Sequence, residues 1–424
     1  MADLIRDMEC RGVLQDASEG AREALTAGPL TAYAGFDPTA SSLHVGSLMP
    51  ILGLARLQRA GHTPIAVVGG GTGLIGDPSG KAAERTLQTP DQVEANVAGI
   101  RAQLERFLDF GAGGNPARLV NNADWLTTMG AMAFLRDVGK YFTVNYMLAK
   151  ESIRRRVESE DGISYTEFSY LLLQAYDFLE LYDRYGCTVQ LGGSDQWGNI
   201  TAGIDLIRKL RTVKAHGLVL PLVTTAAGTK FGKTEAGTVW LDPERTSPFR
   251  FYQFWLNAED KDSTRYLKYF TFLEQDALME LIETGARAPE KRETQRVLAR
   301  EVTRLVHGQA QLERAERTSE VLFGEDISML PVADLLDVFG DAPSTDVAAS
   351  DVAGDGLPLV ELLVRAGLAP SKGEARRLVQ SGGVYINNRR EADVAARVRV
   401  ADAIGGQLFV LRRGQRQQHI VCVR

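Results

Sequence analysis

Three short stretches concentrate the residues that could handle phosphate. The first, PTASSLHVGS over residues 38–47, leaves a strand, turns and opens a helix. Helix N-termini present unpaired N–H groups and a positive dipole end, so they favour phosphate. His44 lies just before that helix and can donate to phosphate oxygens, and Gly46 leaves room for a flat base. The second, GGGTGLIGDPSGKAAERT over 69–86, puts glycines where a backbone can approach a ligand closely. Asp77 could hold an amino group there, while Lys81 and Arg85, four apart, share a face if helical. The third, GTKFGKTEAG over 228–237, sets Lys230 and Lys233 three apart among glycines and threonines. It ends like a P-loop, but Ala227 stands where that motif requires glycine, and Val239 and Trp240 follow where it requires a helix. The second stretch fails the same test, because Gly76 and Gly80 are one residue too close and Ala82 follows the lysine. The third therefore reads as a mobile loop suited to clamping on a polyphosphate. Taken singly, each stretch is equally a capping turn or a glycine-rich connection.

The elements that must position these stretches alternate. TAYAGF (31–36), TPIAVVGG (63–70), ARLVNN (117–122) and CTVQLGG (187–193) read as short buried strands, each followed by helical spacing such as Leu48, Ile51, Leu52, Ala55 and Leu57. Apolar, non-alternating strands separated by helices predict an α/β fold with a parallel sheet covered on both faces. Ligands bind such sheets at the carboxyl ends of the strands, where the glycine-rich and polar clusters fall. Residues 248–325 lose the strand pattern and read as an all-α region. Residues 326–356 read as a linker, on the Asp, Ala, Ser and Gly content of their second half, and 357–424 as a small α+β module with a strand at VYIN.

Bulk composition fits this division. The chain has 424 residues, 44% hydrophobic and 24% charged, enough for two or three ordinary globular domains. The net charge of -6 is unevenly spread. From Leu357 to Arg424 there are 12 basic and 5 acidic residues, so a +7 tail follows a -13 body, which suggests a polyanionic partner. Cys10, Cys187 and Cys422 are far apart and read as unpaired thiols in a reducing cytoplasm. No apolar run approaches a membrane span, and MADLIRDMECRG lacks the apolar core of a secretory signal. A cytoplasmic location is expected, with no membrane or DNA partner.

Together the clusters resemble a class I aminoacyl-tRNA synthetase. HVGS (44–47) is similar to the HIGH motif and KFGKT (230–234) to a variant of KMSKS. YAGFDPTASSLHVG, VGGGTGLIGDPSGK, TEFSYLLLQAYDF and GGSDQWGNI resemble the bacterial-type tyrosyl-tRNA synthetase family over essentially the whole chain. The resemblance implies a Rossmann-like catalytic domain with a dimer-interface insertion (1–247), a helical anticodon-binding domain (248–325), the linker, and a C-terminal RNA-binding domain similar to a ribosomal small-subunit protein (357–424). It implies a homodimer with its interface within roughly 125–160, and ATP, L-tyrosine and tRNA(Tyr) as substrates. Mg2+ accompanies the ATP, with no bound cofactor and no metal site in the protein.

Residue roles follow from the same resemblance. Tyr33 and Asp177 match the pair that hydrogen-bonds the substrate phenol, and Asp77, Tyr170 and Gln174 match the groups that hold its ammonium. Tyr170, Gln174 and Asp177 lie at i, i+4 and i+7, one face of a helix, where burying them is costly unless something pairs with them. Asp37, Thr39, His44, Gly46, Ser47, Gly193, Asp195 and Gln196 match the ATP site. Lys81, Arg85, Lys230, Lys233 and Thr234 match the groups around the departing pyrophosphate, with His44 alongside them in catalysis. Lys150, Arg208 and Lys209 match acceptor-arm contacts to tRNA, and Lys372, Arg376, Arg377, Arg389 and Arg390 are candidate phosphate contacts of the tail. Two positions depart from the pattern. Ser47 replaces the last His of HIGH and brings a hydroxyl with no cationic form, and Ala34 stands where relatives can carry Cys. The alternatives are a tryptophanyl-tRNA synthetase and a catalytically inactive RNA-binding relative. Indole offers one N–H and no acceptor, so Tyr33 with Asp177 fits it poorly.

Overall fold

The computed structural model describes residues 4–79, 86–111, 113–160, 162–226, 228, 231–234, 237–323, 327–340, 342–414 and 417–424, with the backbone alone for Lys233, Thr234 and Phe323. They form two compact units, 1–246 with 254–306, and 247–253 with 307–424.

The first unit is built on a six-stranded sheet. Its strands are β1 (Asp16–Ala17), β2 (Thr31–Phe36), β3 (Thr63–Val68), β4 (Arg118–Asn121), β5 (Cys187–Gly193) and β6 (His216–Leu220), in the order β1-β6-β5-β2-β3-β4. All neighbours are parallel except β1, which pairs antiparallel with β6 at one edge. The chain leaves β2 outward through β3 and β4, then returns to β5 on the other side of β2. The strand order therefore reverses between β2 and β5, and that reversal opens a crevice at their carboxyl ends. β3 and β6 are buried along nearly their whole length, as expected of strands covered on both faces.

Two helices carry much of the crevice wall. Helix Tyr165–Tyr185 starts at Ser164, whose hydroxyl accepts from Glu167 N (3.2 Å), and stops at Gly186 in the left-handed conformation. Helix Trp197–Arg211 packs against it so closely that a Cβ on Gly203 would lie 2.8 Å from the Phe178 ring. Phe178, Leu181, Leu206 and Ile207 are fully buried there together with Tyr33 and Ile65 of the sheet. A short hairpin, β7 (Lys233–Thr234) with β8 (Gly237–Thr238), follows β6. Helices Asp260–Phe270 and Gln275–Arg287 complete this unit with most of Glu293–His307.

The second unit carries a five-stranded sheet of β9 (Ser344–Val347), β11 (Val384–Ile386), β12 (Arg389–Glu391), β14 (Leu408–Arg413) and β15 (Gln417–Val423), ordered β12-β11-β14-β15-β9. β10 (Leu357–Pro358) pairs separately with β13 (Arg397–Val398). One sheet face buries Phe409, Leu411 and Val421 against helices Leu359–Arg365 and Lys372–Gln380. The other buries Leu408, Val410 and Ile420 against Ile327, Leu335 and Phe339. The span 326–356 is thus not a plain linker. Helix Val332–Phe339 supplies one of those faces, and β9 pairs in parallel with β15. Val332, Leu335, Leu336 and Phe339 already have helical spacing, ahead of the glycine- and alanine-rich composition that dominates the second half of the span.

Candidate active site

Each strand end delivers one wall of the crevice. β2 places Tyr33 inside the sheet and Asp37 just beyond it; β3 leads to Gly69, Thr72 and Asp77; β5 leads to Gly193, Asp195 and Gln196. Helix Tyr165–Tyr185 aims Tyr170, Gln174 and Asp177 into the same space. A cavity of about 560 Å³ touches all five residues matched to the amino-acid pocket, Tyr33, Asp77, Tyr170, Gln174 and Asp177. A neighbouring cavity of about 360 Å³ shares Asp37, Gly193 and Asp195 with it and is lined by Thr39, His44, Gly46 and Ser47.

The floor of the larger cavity is polar, buried and mostly cross-bonded. Asp177 is 4% exposed, and its two oxygens accept from Trp125 Nε1 (2.7 Å) and Asn122 Nδ2 (2.9 Å). Burial pushes the Asp177 carboxyl up to about 7, against the pull of those two donors. The Tyr33 hydroxyl is buried and has no hydrogen-bond partner among the described residues. Burial raises its phenol well above the usual range, and the nearby Asp177 adds to that. An unpaired buried hydroxyl beside a buried carboxylate is costly. A ligand carrying one hydroxyl, able to donate and accept at once, satisfies both.

The opposite end of the cavity is suited to a cation. Asp77 Oδ2 accepts from Gln196 Nε2 (2.7 Å) and Oδ1 from Ser79 N (2.9 Å). Asn199 Nδ2 donates to Gln174 Oε1 (3.0 Å) and Gln196 Oε1 (3.1 Å). The Tyr170 hydroxyl donates to Asp37 Oδ2 (3.2 Å), and Thr72 Oγ1 donates to Asp37 Oδ1 (3.1 Å). Burial first, then Asp37, raises the Tyr170 phenol well above its usual range, so it acts as a neutral donor.

The smaller cavity is shaped by His44 and its neighbours. His44 Nδ1 accepts from Gly46 N (3.0 Å), which leaves the ring proton on Nε2 as a donor. The imidazole fills the space above Gly46, where a Cβ would fall 2.7 Å from His44 Cε1. A short 3-10 turn, Val45–Ser47, intervenes before helix Leu48–Arg59, so Ser47 sits at the helix N-terminus. The third phosphate stretch reaches this wall through its backbone: Val239 N donates to Gly232 O (2.9 Å), and Val45 N donates to Val239 O (3.1 Å). Lys81, Arg85 and Lys230 lie outside the described residues, and Lys233 and Thr234 are placed by their backbone in β7.

Residues 25–324 match the model of class I tRNA synthetases (W and Y), and residues 334–421 match that of the tyrosine–tRNA ligase SYY-like C-terminal domain. The tyrosine–tRNA ligase of Roseiflexus castenholzii is 57% identical over 421 residues, covering 99% of both chains. That of Geobacillus kaustophilus is 54% identical over 422 residues, with the same coverage. The chain belongs to the tyrosine–tRNA ligase family. A C-terminally truncated mitochondrial tyrosyl-tRNA synthetase of Aspergillus nidulans superposes with a TM-score of 0.68 at 32% identity, over 76% of this chain and 95% of that one. The second family model begins ahead of residue 357, where the charge pattern placed the tail, and so includes β9.

The family's tRNA positions are less open here than their charge suggests. Lys150 Nζ donates to Thr201 Oγ1 (2.9 Å) and lies 4.2 Å from the centre of the Tyr146 ring, and burial lowers its pKa. Arg208 pairs with Asp205 (2.8 Å), and Lys209 Nζ donates to Tyr141 O (2.7 Å). In the second unit Arg376, Arg377 and Arg389 are exposed, while Lys372 reaches Glu361 (3.3 Å). Arg390 is exposed as well, but its Nε donates to Gly382 O (2.8 Å) in the turn before β11.

Several residues of the pocket escaped sequence reasoning. Asn122 and Trp125 orient Asp177, Thr72 and Ser79 bond to Asp37 and Asp77, and Asn199 bonds to Gln174. Gln190 is 2% exposed, lines the larger cavity and leaves Oε1 without a partner among the described residues. A glutamine in the middle of CTVQLGG was the visible signal, because an apolar strand has no structural use for a buried amide.

Proposed function

We propose that the chain joins L-tyrosine to ATP, releasing pyrophosphate, and then passes the tyrosyl group to the 3′ end of tRNA(Tyr). The observation that carries this reading is the Tyr33 hydroxyl, buried without a partner among the described residues beside the Asp177 carboxyl at the floor of an amino-acid-sized cavity. The substrate phenol donates to Asp177 and accepts from Tyr33, and the substrate ammonium lies against Asp77, Tyr170 and Gln174. The tyrosine carboxylate then points toward the smaller cavity, where Thr39, His44, Ser47 and the backbone at Gly46 and Gly193 receive ATP. Asp195 and Gln196 border the nucleotide.

The chemistry needs no general base. One oxygen of the ionised carboxylate forms a bond to the α-phosphorus, the bond from that phosphorus to the bridging oxygen breaks, and the electron pair leaves with pyrophosphate. The protein contributes placement and charge stabilisation. His44 Nε2 donates to a phosphate oxygen, and Lys81, Arg85, Lys230, Lys233 and Thr234 stabilise the leaving pyrophosphate. Mg2+ belongs to this reading as the companion of ATP. Among the described residues no group of three or more His, Cys, Asp and Glu side chains is placed to hold a metal, so no step is routed through a protein-bound ion.

Two partners complete the proposal. A second copy of the chain covers the apolar residues exposed within roughly 125–160, where Met132 is 79% and Val144 59% exposed. The anticodon arm and body of tRNA lie against the helical region and the basic tail. No described helix is long and apolar enough to cross a membrane. Tyrosine-dependent exchange between ATP and labelled pyrophosphate tests the reading: tyrosine supports exchange and tryptophan does not. Exchange driven by tryptophan alone favours the tryptophanyl alternative, and exchange with neither favours the inactive relative.

A further inference from the structure

The third phosphate stretch contains an aromatic residue between its lysines, and that residue is buried. Phe231 is 4% exposed and sits among four other rings. Its ring centre lies 5.7 Å from those of Phe254 and Trp255, 4.8 Å from Tyr266 and 5.4 Å from Phe270, and it is stacked nearly parallel (11°) on the last. A loop that only brushes past a nucleotide has no need of such an anchor, and contacts of this kind add to the burial of the ring itself.

The helix Asp260–Phe270 supplies two of those rings and grips the stretch a second time, upstream. Asp262 Oδ2 accepts from Ala226 N (3.0 Å), Arg265 donates to both Asp262 Oδ1 (2.7 Å) and Thr224 O, and the Tyr266 hydroxyl reaches Thr224 O (3.4 Å). The same helix is fixed at its other end. Arg56, 5% exposed, donates to Tyr269 O (3.1 Å) and Thr271 O (3.0 Å), and Arg11 donates to Thr271 O (3.3 Å). Cations suit the carboxyl end of a helix, where carbonyls are unpaired. Arg56 belongs to helix Leu48–Arg59, whose N-terminus is the HVGS stretch. Gly232 closes the circuit: its φ is 76°, and a Cβ there would fall 2.4 Å from Val45 Cγ2.

We infer that Phe231, held in the aromatic box of Phe254, Trp255, Tyr266 and Phe270, is a positioning residue that fixes its lysine-bearing stretch beside the smaller cavity at Phe231 and Gly232, with helix Asp260–Phe270 as the rigid support. The inference rests on the proposed reading of those lysines as phosphate ligands. Phe254, Trp255, Tyr266 and Phe270 line neither cavity, whereas Phe231 itself borders the smaller one, so the four rings act on the nucleotide site through Phe231.

The test uses the full chain and varies ATP and tyrosine separately in pyrophosphate exchange, with equilibrium tyrosine binding as a second readout. Misplacement by about an ångström can cost on the order of 10²-fold in rate. Phe231→Ala should therefore raise the KM for ATP, lower kcat, or both, by at least about tenfold, while tyrosine affinity stays within about twofold. Phe231→Leu, which refills part of the box, should recover most of the loss. Asp262→Ala, which frees Ala226 N and Arg265, should give the same selective pattern. An unchanged ATP dependence in Phe231→Ala, or a parallel loss of tyrosine binding, overturns the inference. If Phe231→Ala does not fold, Phe231→Leu decides: a smaller ATP-selective shift supports the inference, and wild-type ATP dependence overturns it. Wild-type protein inactive in exchange counts against the proposed function, whereas active wild type with an indifferent Phe231 counts against this inference alone.

Discussion

Asp177 carries more of the account than any other side chain, and its pH behaviour can be worked out. In the folded chain burial holds its proton up to about 7. An unfolded aspartate releases its proton near pH 3.9, roughly the reference value. Between those two values the folded state binds more protons than the unfolded one. The group's contribution to stability is therefore complete below about pH 4 and is lost as pH rises through about 7. Asp177→Asn cannot titrate. Its melting temperature relative to wild type should move in the variant's favour between about pH 5 and about pH 8. Thermal melts across that range check this, and a constant difference contradicts it. The same variant should bind tyrosine much more weakly, because its amide presents a donor toward Asn122 Nδ2 or Trp125 Nε1, each of which now donates to the carboxylate.

At the scale of elements, helix Tyr165–Tyr185 positions three pocket residues, and its first turn is secured by a buried ion pair. Arg156 and Glu167 are 3% and 4% exposed and meet through two bonds of 2.9 and 3.0 Å. Arg156→Ala leaves a buried carboxylate alone and should cost about 3–5 kcal/mol. Ser164→Ala removes only the cap and should cost about 1 kcal/mol. Chemical denaturation separates the two, and equal small losses would argue against the pair. The strands of this region were readable because each is a compact apolar run: TAYAGF and CTVQLGG match β2 and β5 residue for residue. β6 was missed although HGLVL is as apolar, since five residues with no turn signal before them do not separate strand from helix. The helical spacing of Tyr170, Gln174 and Asp177 was enough to group them. Nothing local could show that Asn122 and Trp125, more than fifty residues earlier, would bond to Asp177 across the sheet. The aromatic box around Phe231 was equally out of reach, because its members are scattered over 231–270 and meet only through tertiary packing.

For the whole molecule, charge asymmetry gives the sharpest expectation. The tail is +7 on a body of -13, and phosphate contacts position RNA through salt-sensitive charge. Replacing Lys372, Arg376 and Arg377 together with alanine should raise the KM for tRNA in charging and flatten its dependence on salt. Amino-acid activation should change by less than about twofold, since exposed pairs such as Lys372–Glu361 contribute little to stability. Equal loss in both assays would point to a folding defect instead. The central claim, however, is that the paired Tyr33 and Asp177 select a phenol. The direct measurement is pyrophosphate exchange with tyrosine against phenylalanine, in wild type and in Asp177→Asn. Tyrosyl-tRNA synthetases are themselves the standard illustration of rejecting a substrate that lacks the hydroxyl a polar pocket expects. The account predicts a strong preference for tyrosine in wild type that collapses in the variant. Comparable exchange with the two amino acids in wild type, or a preference that survives Asp177→Asn, would contradict it.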